Sequence, residues 1–326
     1  MEIAHAFPFD PTYGYDLDRL LTVGRPPEPA GFEAFWRSAH ERTLAVPPRP
    51  TVRHVAHPAT AFDAFEIEYD GLDAFRIGGW LTVPRGRRPR RLVVVGHGYC
   101  GRDGPDETWG LASDNVCLFP CARGFNRSAN KGLPATAAFH VLQGIESKET
   151  YLHGRCASDL WSSVSAGIEL FPELAGDVAY YGESFGGGIG AMALPWDARI
   201  KRACLIVPSF GNHPLRVQLP CAGSGEAVRL YRLRELHHRR PDPLGVLAYF
   251  DASVHAARCR VPTLVVAAKF DPAVPPPGQF AVFNALPRDT RQLLAVETGH
   301  FDPPPQGQDA RVREEVGRWF ASGSVA

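Results

Sequence analysis

Short, predominantly apolar runs recur along the chain: LVVVG (92–96), NVCLFP (115–120), DVAYYG (177–182), ACLIVP (203–208), PTLVVAA (262–268) and RQLLAVET (291–298). Runs of this length, rich in β-branched residues and bounded by Gly and Pro, describe strands buried on both faces, and therefore a parallel sheet. Stretches with helical periodicity lie between them at 151–171, 184–194, 276–286 and 308–321, where βαβ crossovers require helices. Upstream, FDAFEIEY (62–69) and FRIGGWLTV (75–83) flank a GLD turn and predict an antiparallel hairpin. The first 60 residues predict an extension with one helix, about Pro29–Leu44, whose Phe32, Phe35 and Trp36 share a face and anchor it to a main domain at 61–326. The interval 209–250, containing RLYRLRELHHRRPDPLGVLAYF, is too long for one crossover and predicts a helical insertion over the sheet edge, either a cap on a site or an oligomer contact.

Composition narrows the function classes. In 326 residues the apolar fraction is 44% and the charged fraction 21%, enough for a large core, and 35 basic residues balance 35 acidic ones. That balance gives no field for nucleic acid or an anionic membrane, so a small neutral molecule is the expected partner. No stretch of 18 apolar residues offers a membrane span. The opening MEIAHAFPFDPTYGYD has no basic run followed by an apolar one, and seven scattered cysteines form no CxxC pair, so a cytoplasmic protein with reduced, mostly buried thiols is expected. Cys117 and Cys121 are read as buried thiols rather than metal ligands, GRRPRR (86–91) as a solvated turn, and Trp109, Trp161, Trp196 and Trp319 as core.

One motif carries chemistry. Gly182-Glu183-Ser184-Phe185-Gly186 follows the strand DVAYY and opens the helix IGAMAL, the strand, GxSxG, helix context of a nucleophile elbow in an α/β-hydrolase. The glycines flank a strained turn that lifts the Ser184 hydroxyl clear of the sheet. A serine hydroxyl needs a base, and the base an orienting acid, in the chain order Ser, acid, His. Asp271, in KFDP, and His300, in TGHFD, each follow a strand directly and so reach the carboxyl edge of the sheet. His255 precedes its strand, Asp302 is too near His300 to orient it, and His237 and His238 are expected in solvent. The backbone amides of Phe185 and of Tyr99, in the loop His97-Gly98-Tyr99-Cys100-Gly101, are the candidate oxyanion donors. No metal or organic cofactor is needed by this chemistry. A lactone hydrolase, a serine peptidase and a non-catalytic ligand-binding protein share the same fold.

These residues resemble the acetyl xylan esterase and cephalosporin C deacetylase family, carbohydrate esterase family seven. The likeness runs nearly end to end through PAGFEAFW, RIGGWLTVP, the HGY loop at 97–99, Arg123-Gly124, YLHGRCASDLW, GESFGGG, and LAYFDA followed by DPAVPPPGQFAVFNAL. The resemblance implies Ser184 as nucleophile, Asp271 and His300 as partners, and the Tyr99 and Phe185 amides as oxyanion hole. It also implies removal of acetyl groups from small acetylated sugars and cephalosporin C, intracellular action, and a homo-oligomer, commonly a hexamer. The chain departs from the family at Phe185, where Gln is usual, at Phe125-Asn126 within the usual RGQG, and at Phe301 after His300. Phenyl rings in place of amides predict a less polar pocket, hence an ester of a more apolar alcohol or an acyl group larger than acetyl.

Overall fold

The computed structural model describes residues 3–105 and 110–322; Trp109 lies outside them. Nine strands form one sheet: β1 (Thr51–Val55), β2 (Phe62–Asp70), β3 (Arg76–Pro84), β4 (Leu92–Gly96), β5 (Val116–Pro120), β6 (Val178–Glu183), β7 (Ile200–Ile206), β8 (Thr263–Phe270) and β9 (Arg291–Thr298). Their spatial order is β1-β2-β3-β5-β4-β6-β7-β8-β9. From β5 to β9 every pairing is parallel, while β1–β2, β2–β3 and β3–β5 are antiparallel. The hairpin read from the sequence is therefore the antiparallel flank of the parallel sheet, with Phe62 opposite Pro84 and Asp70 opposite Arg76.

Six longer helices are α1 (Phe32–Leu44), α2 (Leu152–Leu170), α3 (Phe185–Ala193), α4 (Ser224–His237), α5 (Pro276–Ala285) and α6 (Gln308–Ala321). The two-residue period of β4 shows how they are used. Leu92 and Val94 join the large apolar layer that holds Trp161 of α2 and Ile189 of α3, whereas Val93 and Val95 join a smaller layer with Val312, Val316 and Phe320 of α6. Both faces of the central strand are thus covered, which is why it reads as an unbroken apolar run.

Two features of the first 91 residues differ from the sequence pattern. Strand β1 carries the burial sequence of an exposed edge, with only Val55 partly covered, so no apolar alternation marks it. The run 86–91 is not solvated throughout: Arg91 is 4% exposed and its Nη2 donates to Asp177 at 3.3 Å. Helix α1 buries Phe32 and Trp36 fully and Phe35 in part, and Trp36 Nε1 donates to the Tyr249 carbonyl at 2.8 Å. Trp161 is fully buried, and Trp196 and Trp319 are half-buried. All seven cysteines are unpaired; Cys100 is exposed and the other six are buried. Among the described residues, no helix is long and apolar enough to cross a membrane.

Candidate active site

Because β4, β6, β7, β8 and β9 run parallel, their carboxyl ends open on one edge, and five loops meet there. Ser184 occupies the turn from β6 into α3 with φ 53° and ψ −110°. This is a backbone conformation a non-glycine residue adopts only when its surroundings impose it. They do: Ser184 N donates to Ile206 O at 2.9 Å, Ser209 N to Ser184 O at 3.0 Å, and Gly186 N to His97 O at 2.9 Å. A Cβ on Gly182 would stand 2.6 Å from Gly186 O, and one on Gly186 2.8 Å from the Gly96 carbonyl carbon. The elbow therefore closes only with hydrogen at both flanking positions.

His300 follows β9 and reaches the elbow. Its Nε2 lies 2.9 Å from Ser184 Oγ, and its Nδ1 lies 2.8 Å from Asp271 Oδ2. Asp271 follows β8 and is fully buried, yet every oxygen is used: Oδ1 accepts from Ala273 N and Val274 N at 2.9 Å, and Oδ2 from Gln279 Nε2 at 2.9 Å. Burial alone would lower the His300 pKa, but the charge and hydrogen bond of Asp271, with Glu183 contributing, reverse this and hold it above the ordinary value of 6.5. A hydroxyl, an imidazole and a carboxylate in line, with the imidazole hydrogen-bonded on both nitrogens, can pass a proton from the serine to the histidine.

The loop after β4 runs beside the nucleophile, since a Cβ on Gly98 would stand 3.6 Å from Ser184 Cβ. His97 holds this loop to the one after β5: Ala122 N donates to His97 Nε2 at 2.9 Å, leaving Nδ1–H to donate to Gly98 O at 2.6 Å. Burial pushes the His97 pKa down to about 3, so it keeps this neutral tautomer. The rings of Tyr99 and Phe185 lie 4.3 Å apart, and the Tyr99 hydroxyl is hydrogen-bonded to His153 Nε2 at 3.1 Å. A cavity of about 510 Å3 opens over Ser184 and His300, walled by residues 96–105, by Glu183 and Ser209, and by Gly223 and Ser224 at the start of α4. The 209–250 segment thus borders the candidate site.

The expected phenyl lining is a correction. Phe185 is 2% and Phe125 4% exposed; both pack with Tyr99 and His140 beneath the loop, and Phe301 packs on Phe7 and Phe270. None of the three is among the residues that line the cavity. A position next to a catalytic motif says nothing of side-chain direction: the Phe125 and Phe185 rings turn into the core, and the partly buried Phe301 ring packs against Phe7 and Phe270.

The competing residues lie elsewhere. His255 is fully buried edge-on to Trp36, with ring centroids 4.6 Å apart; His237 and His238 are exposed, and Asp302 is exposed while Asp271 holds His300. Three contributors lie within motifs quoted from the sequence, which gave them no role. Gln279 holds Asp271 while its Oε1 accepts from Ala268 N at 2.8 Å. Gly299 leaves the space that Asp271 occupies, since a Cβ there would stand 2.1 Å from Oδ2. Arg123, whose guanidinium forks onto buried Asp159 at 2.7 and 2.8 Å, ties the loop after β5 to α2. Among the described residues no group of acidic, His and Cys side chains is arranged to hold a metal ion.

The acetyl xylan esterase (AXE1) family model matches residues 14–312. The chain is similar to the solved acetyl xylan esterase from Paenibacillus sp. R4, with 23% identity and a TM-score of 0.77 over 92% of this chain and 98% of that one. It is also similar to acetyl xylan esterase 1 from Thermoanaerobacterium sp. JW/SL YS485, with 18% identity and a TM-score of 0.80 over 96% and 100%. An acylaminoacyl peptidase from Pyrococcus horikoshii shares the fold at 15% identity and a TM-score of 0.60, over 80% of this chain and 42% of the peptidase. The match over most of its length, on an α/β-hydrolase sheet, means that the chain belongs to the acetyl xylan esterase family and is a carboxylic ester hydrolase.

Proposed function

We propose that the chain is a serine esterase that removes acetyl groups from small acetylated alcohols, acetylated sugars among them, through Ser184, His300 and Asp271. The observation that carries this reading is the continuous hydrogen-bonded line from Ser184 Oγ through His300 to Asp271, with contacts of 2.9 and 2.8 Å. In the first step Oγ bonds to the acetyl carbonyl carbon and its proton passes to His300 Nε2. The carbonyl oxygen, now negative, is stabilised by the Tyr99 and Phe185 amides, each worth roughly 10²-fold in rate. The bond to the alcohol oxygen then breaks, and His300 returns the proton to it. Water repeats the sequence on the acetyl-enzyme, releasing acetate. The reaction needs no redox partner.

The same proposal includes a cytoplasmic homo-oligomer, whose native mass sizes the assembly. The reaction class is tested by comparing p-nitrophenyl acetate with p-nitroacetanilide, which differ only in the scissile bond. Turnover of the ester with the anilide left intact is the expected result; equal or better turnover of the anilide would replace the esterase with a peptidase.

A further inference from the structure

His300 stands between two cavities. The larger holds Ser184 and the loop at Tyr99; the second, about 230 Å3, lies between the carboxyl ends of β7, β8 and β9 and the first turns of α6, and shares Glu183 and His300 with the first. Its floor is apolar: Ile206, Val207, Val266, Val296 and Val312, each at most 7% exposed. Its wall is held rigid by Gln308, whose Oε1 accepts from Thr298 N at 3.1 Å and whose Nε2 donates to Thr298 O at 2.8 Å.

The backbone at this floor is strained. Val207 has φ 41°, a region that a β-branched residue enters only when its surroundings impose it. Its amide donates to Val266 O at 2.8 Å, which fixes the turn directly after β7. Such strain gathers where a site is being shaped. The volume exceeds the roughly 150 Å3 that accommodates a benzene molecule in an apolar cavity.

We propose that this compartment receives the alcohol portion of the ester, and that it favours alcohols carrying a compact apolar group about one ring in size next to the ester oxygen. The inference rests on the serine-esterase reading of Ser184 and His300. In that reading the carbonyl oxygen points to the Tyr99 and Phe185 amides in the larger cavity, and the leaving oxygen must lie against His300 to receive its proton. The substituent on that oxygen is then carried past the imidazole, onto the apolar floor. Exposed Asp309 and Arg313 at the mouth face whatever polar groups lie beyond the ring.

Ethyl acetate and benzyl acetate present the same acyl group with different alcohols. The wild type is expected to favour benzyl acetate by about tenfold or more in kcat/KM, the discrimination an apolar pocket gives even for small groups. Val312→Phe fills the floor, and is expected to lower kcat/KM for benzyl acetate about tenfold or more relative to ethyl acetate, abolishing that preference; benzyl alcohol inhibits the wild type competitively and the variant poorly. Val312→Ala, which enlarges the space and does not overpack it, is expected to raise turnover of 2-naphthylmethyl acetate relative to benzyl acetate. Equal wild-type rates on ethyl and benzyl acetate, or an equal loss on both in folded Val312→Phe, would overturn the assignment. Failure of the underlying esterase reading looks different: neither ester turns over at all.

Discussion

Asp271 accepts four hydrogen bonds while fully buried, and one of them fixes which nitrogen of His300 carries the proton. Asp271→Asn keeps the volume but removes the charge and favours the wrong tautomer, so kcat for p-nitrophenyl acetate should fall by about 10⁴-fold in a protein that still folds. The pH profile supplies the sign. His300 must be neutral to act as a base, and Asp271 holds its pKa above 6.5, so the acid limb of kcat/KM should lie above pH 6.5 in the wild type. In Asp271→Asn, burial is left to dominate and the limb should move to lower pH; an unmoved limb would show that another group titrates. Stability responds the opposite way from activity, because a raised histidine pKa contributes stability below pH 6.5 that is lost as pH rises through the folded value. Gly299→Ala should displace Asp271 and lower kcat by more than about tenfold with KM little changed, since the added Cβ meets Oδ2 at 2.1 Å. Ser184, Asp271 and His300 were legible because chain order and strand ends constrain them. Gln279 and Gly299 were not, because their contribution is a hydrogen bond and a missing Cβ that only the folded geometry reveals.

Among the elements, α1 shows how the amino-terminal segment is held. Trp36 is fully buried, stacked on Trp196 and edge-on to Trp161, Phe250 and His255. Trp36→Ala should cost about 3 to 5 kcal/mol of unfolding free energy, read from the denaturant midpoint, while kcat per folded molecule is retained. A large loss of kcat at full folding would mean that α1 shapes the candidate site. Element prediction succeeded where burial leaves a pattern: the largely apolar β4 through β8 and the amphipathic α1. It failed at β1, whose side chains face solvent on an edge, and where an exposed-looking arginine run ends in buried Arg91. An edge strand owes its existence to a neighbour's backbone, and no side-chain period records that.

For the molecule as a whole, the parallel order of β4, β6, β7, β8 and β9 is what gathers residues separated by two hundred positions, such as His97 and His300, at one edge. The sequence pattern conveyed that edge and the order of its loops, but not the direction in which the Phe125, Phe185 and Phe301 rings turn, which is decided by packing. The central claim is that Ser184, activated by His300, is the nucleophile. It is tested most directly by exposing the wild type and Ser184→Ala to a fluorophosphonate and mapping the modified peptide. The account predicts stoichiometric labelling of Ser184 with loss of p-nitrophenyl acetate hydrolysis, and neither labelling nor hydrolysis in Ser184→Ala. A folded wild type that hydrolyses the ester while Ser184 stays unlabelled, or a Ser184→Ala variant that keeps its activity, would contradict it.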